Sequence, residues 1–154
     1  MSGFLLFFLD ICYIIENEEI YKLFKLGDTV NKQKALSLNS LVLAFVGDAV
    51  YNLYVKEKIA LSCDFKVGEQ NNLAKNEVNA TAQAEFFKEI LPLLTEEELA
   101  IYKRARNSHK KTKAKSATTA DYHSSTGLEA IFGFLFITGD IDRLNFLFNK
   151  GDTN

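Results

Sequence analysis

Two apolar helical runs, each broken by a single carboxylate, constrain this chain more than any other feature. The first is Leu41-Val-Leu-Ala-Phe-Val-Gly-Asp48-Ala-Val-Tyr51, in which Asp48 directly follows a glycine. The second is Thr126-Gly-Leu-Glu129-Ala-Ile-Phe-Gly-Phe-Leu-Phe, in which Glu129 is the lone acid. A lone acid in an apolar helix is costly unless it is paired, hydrogen-bonded or bound to a cation. Two of them suggest one shared, buried site where the helices cross. Hard oxygen ligands of this kind suit Mg²⁺, which keeps most of its waters and takes one or two carboxylates from a protein. A blander reading stands beside this one: the Gly-Asp pair marks a kink with a solvated acid, and Glu129 is one exposed position on an amphipathic helix.

Composition favours an all-α chain with one core. A single proline and 8 glycines in 154 residues leave little room for the turns of a β fold, and 13 phenylalanines within a 47% hydrophobic content suffice for a core. Apolar spacing predicts a helix from about Ser37 to Leu61, with Ser37 or Asn39 as its N-cap. A second is predicted over Lys66 to Leu91, with Leu73, Ala80, Ala84, Phe87 and Leu91 at helical spacing. After Pro92, Thr95-Glu-Glu-Glu98 forms a capping-box pattern opening a helix through about Asn107. A fourth helix runs from about Ser124 to Thr138 and stops at Gly139, and a fifth from Ile141 to Asn149.

The formal net charge is −2, which by itself argues mildly against a nucleic-acid binder. Its distribution argues the other way. Lys103, Arg104, Arg106, Lys110, Lys111, Lys113 and Lys115 lie in one stretch without an acid. These seven of 18 basic residues leave 11 against 20 acids elsewhere, a net of −9 for the rest of the chain. Composition alone describes a solvated basic loop. Its place between the third helix and the helix of Glu129 brings it near the proposed metal site. There it suits sequence-independent contact with the phosphates and 2′-hydroxyls of a duplex.

Residues 1–35 are expected to form a separate apolar extension. Phe4-Leu-Leu-Phe-Phe-Leu-Asp10-Ile-Cys-Tyr-Ile-Ile15 is too short for the ~20 residues of a membrane span and has no basic leader. An added helix packed on the domain or a partner subunit is the expectation. Cys12 and Cys63 follow no metal spacing and read as free thiols in a reducing compartment. His109 and His123 stand apart, without the partners of a zinc site.

The ordered motifs carry a resemblance. Leu38-Asn39-Ser40-Leu41, Phe45-Val-Gly-Asp48-Ala-Val-Tyr51, Ala80-Thr-Ala-Gln83-Ala84, Arg104-Ala-Arg106-Asn107 and Tyr122-His-Ser-Ser-Thr126-Gly-Leu-Glu129-Ala occur in that order between Leu36 and Phe148. Together they resemble a ribonuclease III catalytic domain, and more closely the Mini-III branch, which lacks a double-stranded-RNA-binding domain. Larger members carry an acid where this chain has Ala44 and an aspartate where it has Thr126; the reduced set fits the branch. His123-Ser124 departs from the basic residue and tyrosine usual there.

The resemblance implies a catalytic domain over residues 36–154 that cleaves double-stranded RNA in the cytoplasm, in ribosomal RNA precursor maturation. It implies Asp48 and Glu129 as the catalytic and Mg²⁺-holding pair, with Mn²⁺ able to substitute, and products with 5′-phosphate and 3′-hydroxyl ends. RNA contacts are expected from Lys103, Arg104, Arg106, Asn107, Lys110, Lys111, Lys113, Lys115 and Thr126. A homodimer is expected, with Phe45 in the subunit contact; alternatively Phe45 fills its own core. The rival reading is a non-catalytic RNA-binding or ribosome-associated domain on the same fold.

Overall fold

Side-chain caps set most of the helix starts. The computed structural model describes residues 29–62, 66–108 and 118–152, and among these the architecture is all-α. Helix α1, Lys32–Ser37, is short and was not anticipated from the sequence; Asn31 opens it by accepting a hydrogen bond from the Lys34 amide at 2.8 Å. Leu38 is extended, and the Asn39 side chain then takes the Leu41 amide at 2.9 Å at the start of α2, Ser40–Ser62. Of the two expected caps, Asn39 serves α2, while Ser37 ends α1.

The helix expected over Lys66 to Leu91 is two helices, α3, Val67–Glu77, and α4, Ala80–Ile90. Asn79 causes the break. Its backbone is extended, its Oδ1 caps the Ala82 amide at 2.9 Å and its Nδ2 donates back to the Asn76 carbonyl at 2.6 Å. Such local bonds compete directly with continuous helix. Pro92 sits in a 3₁₀ turn, Leu91–Leu93, before α5, Glu96–Arg106, which opens with the predicted Thr95/Glu98 capping box. Helix α6, Thr119–Thr138, begins five residues earlier than expected because Thr118 caps the Asp121 amide. Gly139, at φ 79°, closes it in the left-handed conformation that glycine adopts without a Cβ penalty. Helix α7, Ile141–Phe148, follows an Asp140 cap.

Helix α6 is the centre of the molecule. From Ser125 to Leu135 every residue except Glu129 is buried, as befits a helix covered on all sides. Helices α2, α4 and α5 pack around it. Its Phe132 is fully buried and lies parallel to Tyr51 of α2, with ring centroids 5.9 Å apart. Phe87 of α4 stacks on Tyr102 of α5 at 3.9 Å, and Tyr54 on Phe148 at 3.8 Å, contacts worth about 0.5–1.5 kcal/mol each beyond area burial. A partly buried ion pair ties α5 to α7: Arg143 donates to both oxygens of Glu98, each at 2.8 Å, and to the Leu93 carbonyl at 2.6 Å.

The expected boundary between residues 35 and 36 falls inside α1, whose Ala35 is fully buried in the core. The Val30 amide already bonds the Ile137 carbonyl at 3.1 Å. The extension as far as residue 28, with Cys12, lies outside the described residues, as do Cys63, His109, Lys110, Lys111, Lys113 and Lys115. No described helix is long and apolar enough to cross a membrane.

Candidate active site

The two acids are brought together by two glycines. Where α2 crosses α6, a Cβ on Gly47 would lie 1.7 Å from the carbonyl oxygen of Glu129, and one on Gly133 would lie 1.9 Å from that of Leu43. Backbone therefore rests on backbone, at a spacing no side chain permits. Asp48 follows Gly47 directly, so the crossing that needs the glycine also sets Asp48 beside Glu129. The Gly-Asp pair is thus a packing contact within a continuous helix.

The site is less enclosed than the sequence suggested. Asp48 is exposed, and only Glu129 is partly buried. Asn52, one turn along α2, donates its Nδ2 to Asp48 Oδ1 at 3.0 Å and to the Asp48 carbonyl at 2.8 Å, fixing the carboxylate. Burial pushes the Glu129 carboxyl up to about 8, and the neighbouring negative charge of Asp48 pushes it the same way. A hydrogen bond from the Gln83 amide works against both.

These residues fit a hard divalent cation. Glu129, whose ionisation is opposed by burial and by the charge of Asp48, is relieved by positive charge between the two, and oxygen donors match Mg²⁺ or Mn²⁺. Among the described residues, no group of three or more His, Cys, Asp or Glu side chains could hold a metal. Such an ion would therefore keep most of its water. Ala44, 5% exposed, is packed in the core where an additional acid would stand.

The model of the ribonuclease III domain family matches residues 41–140, which include both acids and the crossing. The chain belongs to the ribonuclease III family. It is 41% identical over 117 residues to the Mini-ribonuclease 3 of Thermoanaerobacter sp. (strain X514), covering 76% of this chain and 82% of that protein. It is 38% identical over 120 residues to that of Clostridium tetani (strain Massachusetts / E88), covering 77% and 80%. The crystal structure of a Fusobacterium nucleatum protein superposes with a TM-score of 0.67 at 33% identity, over 73% of this chain and 90% of that one. The Mini-III resemblance and the all-α ribonuclease III fold are thereby established.

The remaining residues of interest in this ribonuclease III domain are placed unevenly. Lys103, Arg104 and Arg106 form the basic last turn of α5, and Asn107 is its C-cap; all four are exposed. Arg104 is partly committed to structure, since its Nη1 donates to the Leu36 carbonyl. Thr126 does not present a surface to RNA: it is 5% exposed, and its hydroxyl donates to the Tyr122 carbonyl at 3.0 Å. Phe45 is 80% exposed, which excludes the reading that it fills its own core. With Leu41, Val42 and Leu53 it forms an exposed apolar stripe on α2, beside a groove of about 500 Å³ lined by residues that include Val46, Leu53, Phe136, Ile141 and Phe148.

Two polar groups at the site, Asn52 and Gln83, had no assigned role in the sequence reading. Asn52 is legible as a polar residue at i+4 from Asp48, the spacing of neighbours on a helix face. Gln83 is legible as a polar residue on the buried face of α4, beside Ala84, Phe87 and Ile90.

Proposed function

We propose that this chain hydrolyses phosphodiester bonds in double-stranded RNA at Asp48 and Glu129, with a divalent cation. The observation that carries the reading is the Gly47/Gly133 crossing, which sets two carboxylates side by side within a ribonuclease III domain and leaves Glu129 poorly ionised alone. Asp48 and Glu129 would hold Mg²⁺, or Mn²⁺ in its place, directly or through ordered water. Once bound, the ion supplies an activated water and offsets charge developing on the leaving 3′-oxygen. Asn52 keeps the Asp48 carboxylate oriented. Exposure of Asp48 leaves the site open to a substrate as large as a duplex.

Lys103, Arg104, Arg106 and Asn107 at the end of α5, continuing to Lys110, Lys111, Lys113 and Lys115, would grip phosphates and 2′-hydroxyls without reading bases. Attack by water at phosphorus with loss of the 3′-oxygen leaves 5′-phosphate and 3′-hydroxyl ends. The Phe45 stripe on α2 supports a symmetric dimer, with the apolar face of one copy against its counterpart and one active centre per subunit. Ribosomal RNA precursors in the cytoplasm are the substrate and setting that the Mini-III resemblance implies.

Incubating the purified protein with a perfect RNA duplex, with and without Mg²⁺, tests the reading. Cation-dependent cleavage leaving 5′-phosphates is expected. Tight duplex binding with no cleavage in Mg²⁺ or Mn²⁺ would favour a non-catalytic RNA-binding domain, a reading supported by the apolar core position of Ala44.

A further inference from the structure

Gln83 is ill-suited to a purely structural role. It is 1% exposed, among the apolar side chains that α4 presents to α6. Its Nε2 makes one long hydrogen bond, 3.3 Å, to the Val78 carbonyl, and its amide is near enough to the Glu129 carboxyl to favour its ionised form. Its Oε1 is fully buried with no hydrogen-bond partner among the described residues. An acceptor left in that state is unfavourable, and a leucine or methionine would fill the same space without it. The orphaned oxygen therefore awaits a donor, and the same side chain acts on the Glu129 carboxyl.

We propose that Gln83 completes the cation site as a positioning residue: its N–H steadies the Glu129 carboxylate, and its Oε1 accepts a hydrogen bond from a water carried by the cation. This rests on the metal reading of Asp48 and Glu129 given above. It also accounts for the sparse acid set. With apolar Ala44 at one family acid position and Thr126 bonded to its own helix at the other, most cation ligands must be water, and those waters need fixed acceptors. A neutral amide provides one without adding a third negative charge to a pair that already repels.

The test uses the full chain, Mn²⁺ and Mg²⁺ as probes, and the variants Gln83→Met and Gln83→Glu. Gln83→Met keeps the volume and removes both donor and acceptor; Gln83→Glu keeps the acceptor and exchanges the N–H for a negative charge that attracts the cation more than the lost donor costs. Mn²⁺ binding, followed by the spectroscopic signal of the free ion, should weaken about 10–100-fold in Gln83→Met, the usual scale for losing a group that orients metal ligands. The Mg²⁺ needed for half-maximal cleavage should rise in parallel, with the KM for duplex RNA at saturating Mg²⁺ unchanged. Gln83→Glu should bind Mn²⁺ at least as tightly as the wild type. Wild-type Mn²⁺ affinity in Gln83→Met would reduce Gln83 to packing while leaving the two-carboxylate site standing. If Gln83→Met does not fold, weaker binding by Gln83→Glu overturns the proposal. A wild-type protein that binds neither ion overturns the metal reading itself, and this inference with it.

Discussion

Asp48 and Glu129 lie at one backbone contact between α2 and α6, and their surroundings assign them different burdens. Asp48 is exposed and held by Asn52, whereas Glu129 is partly desolvated and resists ionisation. Replacing either charge should therefore remove cleavage with little effect on the fold. Asp48→Asn and Glu129→Gln should each bring Mg²⁺-dependent cleavage below detection, with helical content retained and duplex binding preserved. Wild-type rates in either variant would end the two-carboxylate assignment. Gly47→Ala should behave in the opposite manner. One methyl group would meet the Glu129 carbonyl at 1.7 Å, so the helices must separate, at a cost of about 3 kcal/mol or more. Thermal denaturation should show that loss, and cleavage should fall with it because the carboxylates move apart. A Gly47→Ala protein as stable as the parent would contradict the crossing.

At the scale of elements, α2 carries the most varied duties. One face buries Leu43, Ala44, Gly47, Tyr51 and Val55 against the domain, while Leu41, Val42, Phe45 and Leu53 stay exposed. Phe45 and Asp48 lie three residues apart, so a subunit contact on this stripe would adjoin the active site. Phe45→Ala should weaken the dimer by about 2–4 kcal/mol, the scale of a buried aromatic anchor. Sedimentation that finds the unaltered protein monomeric at micromolar concentration would remove the proposed contact. The basic residues that follow α5 in sequence have a separate proposed role. Changing Lys110, Lys111, Lys113 and Lys115 to glutamine should weaken duplex binding and flatten its salt dependence, because fewer counterions are released. Cleavage at saturating RNA should fall less than cleavage at limiting RNA. A salt slope unchanged by the four substitutions would mean that these lysines remain solvated.

For the whole molecule, two acids impose opposite pH dependences on stability. Glu129, raised from 4.5 to about 8, keeps in the cation-free fold a proton that the unfolded chain has released. Stability should therefore fall as pH rises across that interval. Burial alone would raise Glu98 too, but the hydrogen bonds from Arg143 and Thr95 lower it overall. Its contribution is present above the ordinary carboxyl range and is lost as pH falls through its folded value. Without divalent cations, the melting temperature should be higher at pH 6 than at pH 8. Glu129→Gln should narrow that gap, and saturating Mg²⁺ should stabilise the wild type more at pH 8 than at pH 6. Equal melting temperatures at the two pH values in the cation-free wild type would show that Glu129 ionises normally.

Local chemistry was written plainly in the chain. The Thr95/Glu98 box, Gly139 as a helix stop and the apolar run that becomes α6 depend on neighbours within a few residues, so periodicity and capping rules reach them. The lone acids Asp48 and Glu129 were visible for the same reason, as was their likeness to a ribonuclease III pattern. Tertiary packing decided the rest. Asn79 splits a run whose apolar spacing reads as continuous, and only the packed fold gives Glu98 its partner Arg143, 45 residues away. The sequence led to an expectation that both acids would be buried; the crossing exposes one and desolvates the other. Burial is a property of the surfaces that meet, and those surfaces come from residues far apart in the chain. The roles of Gly47, Gly133 and Gln83 arise there too: each depends on the atom opposite it, and local order along the chain does not specify that atom.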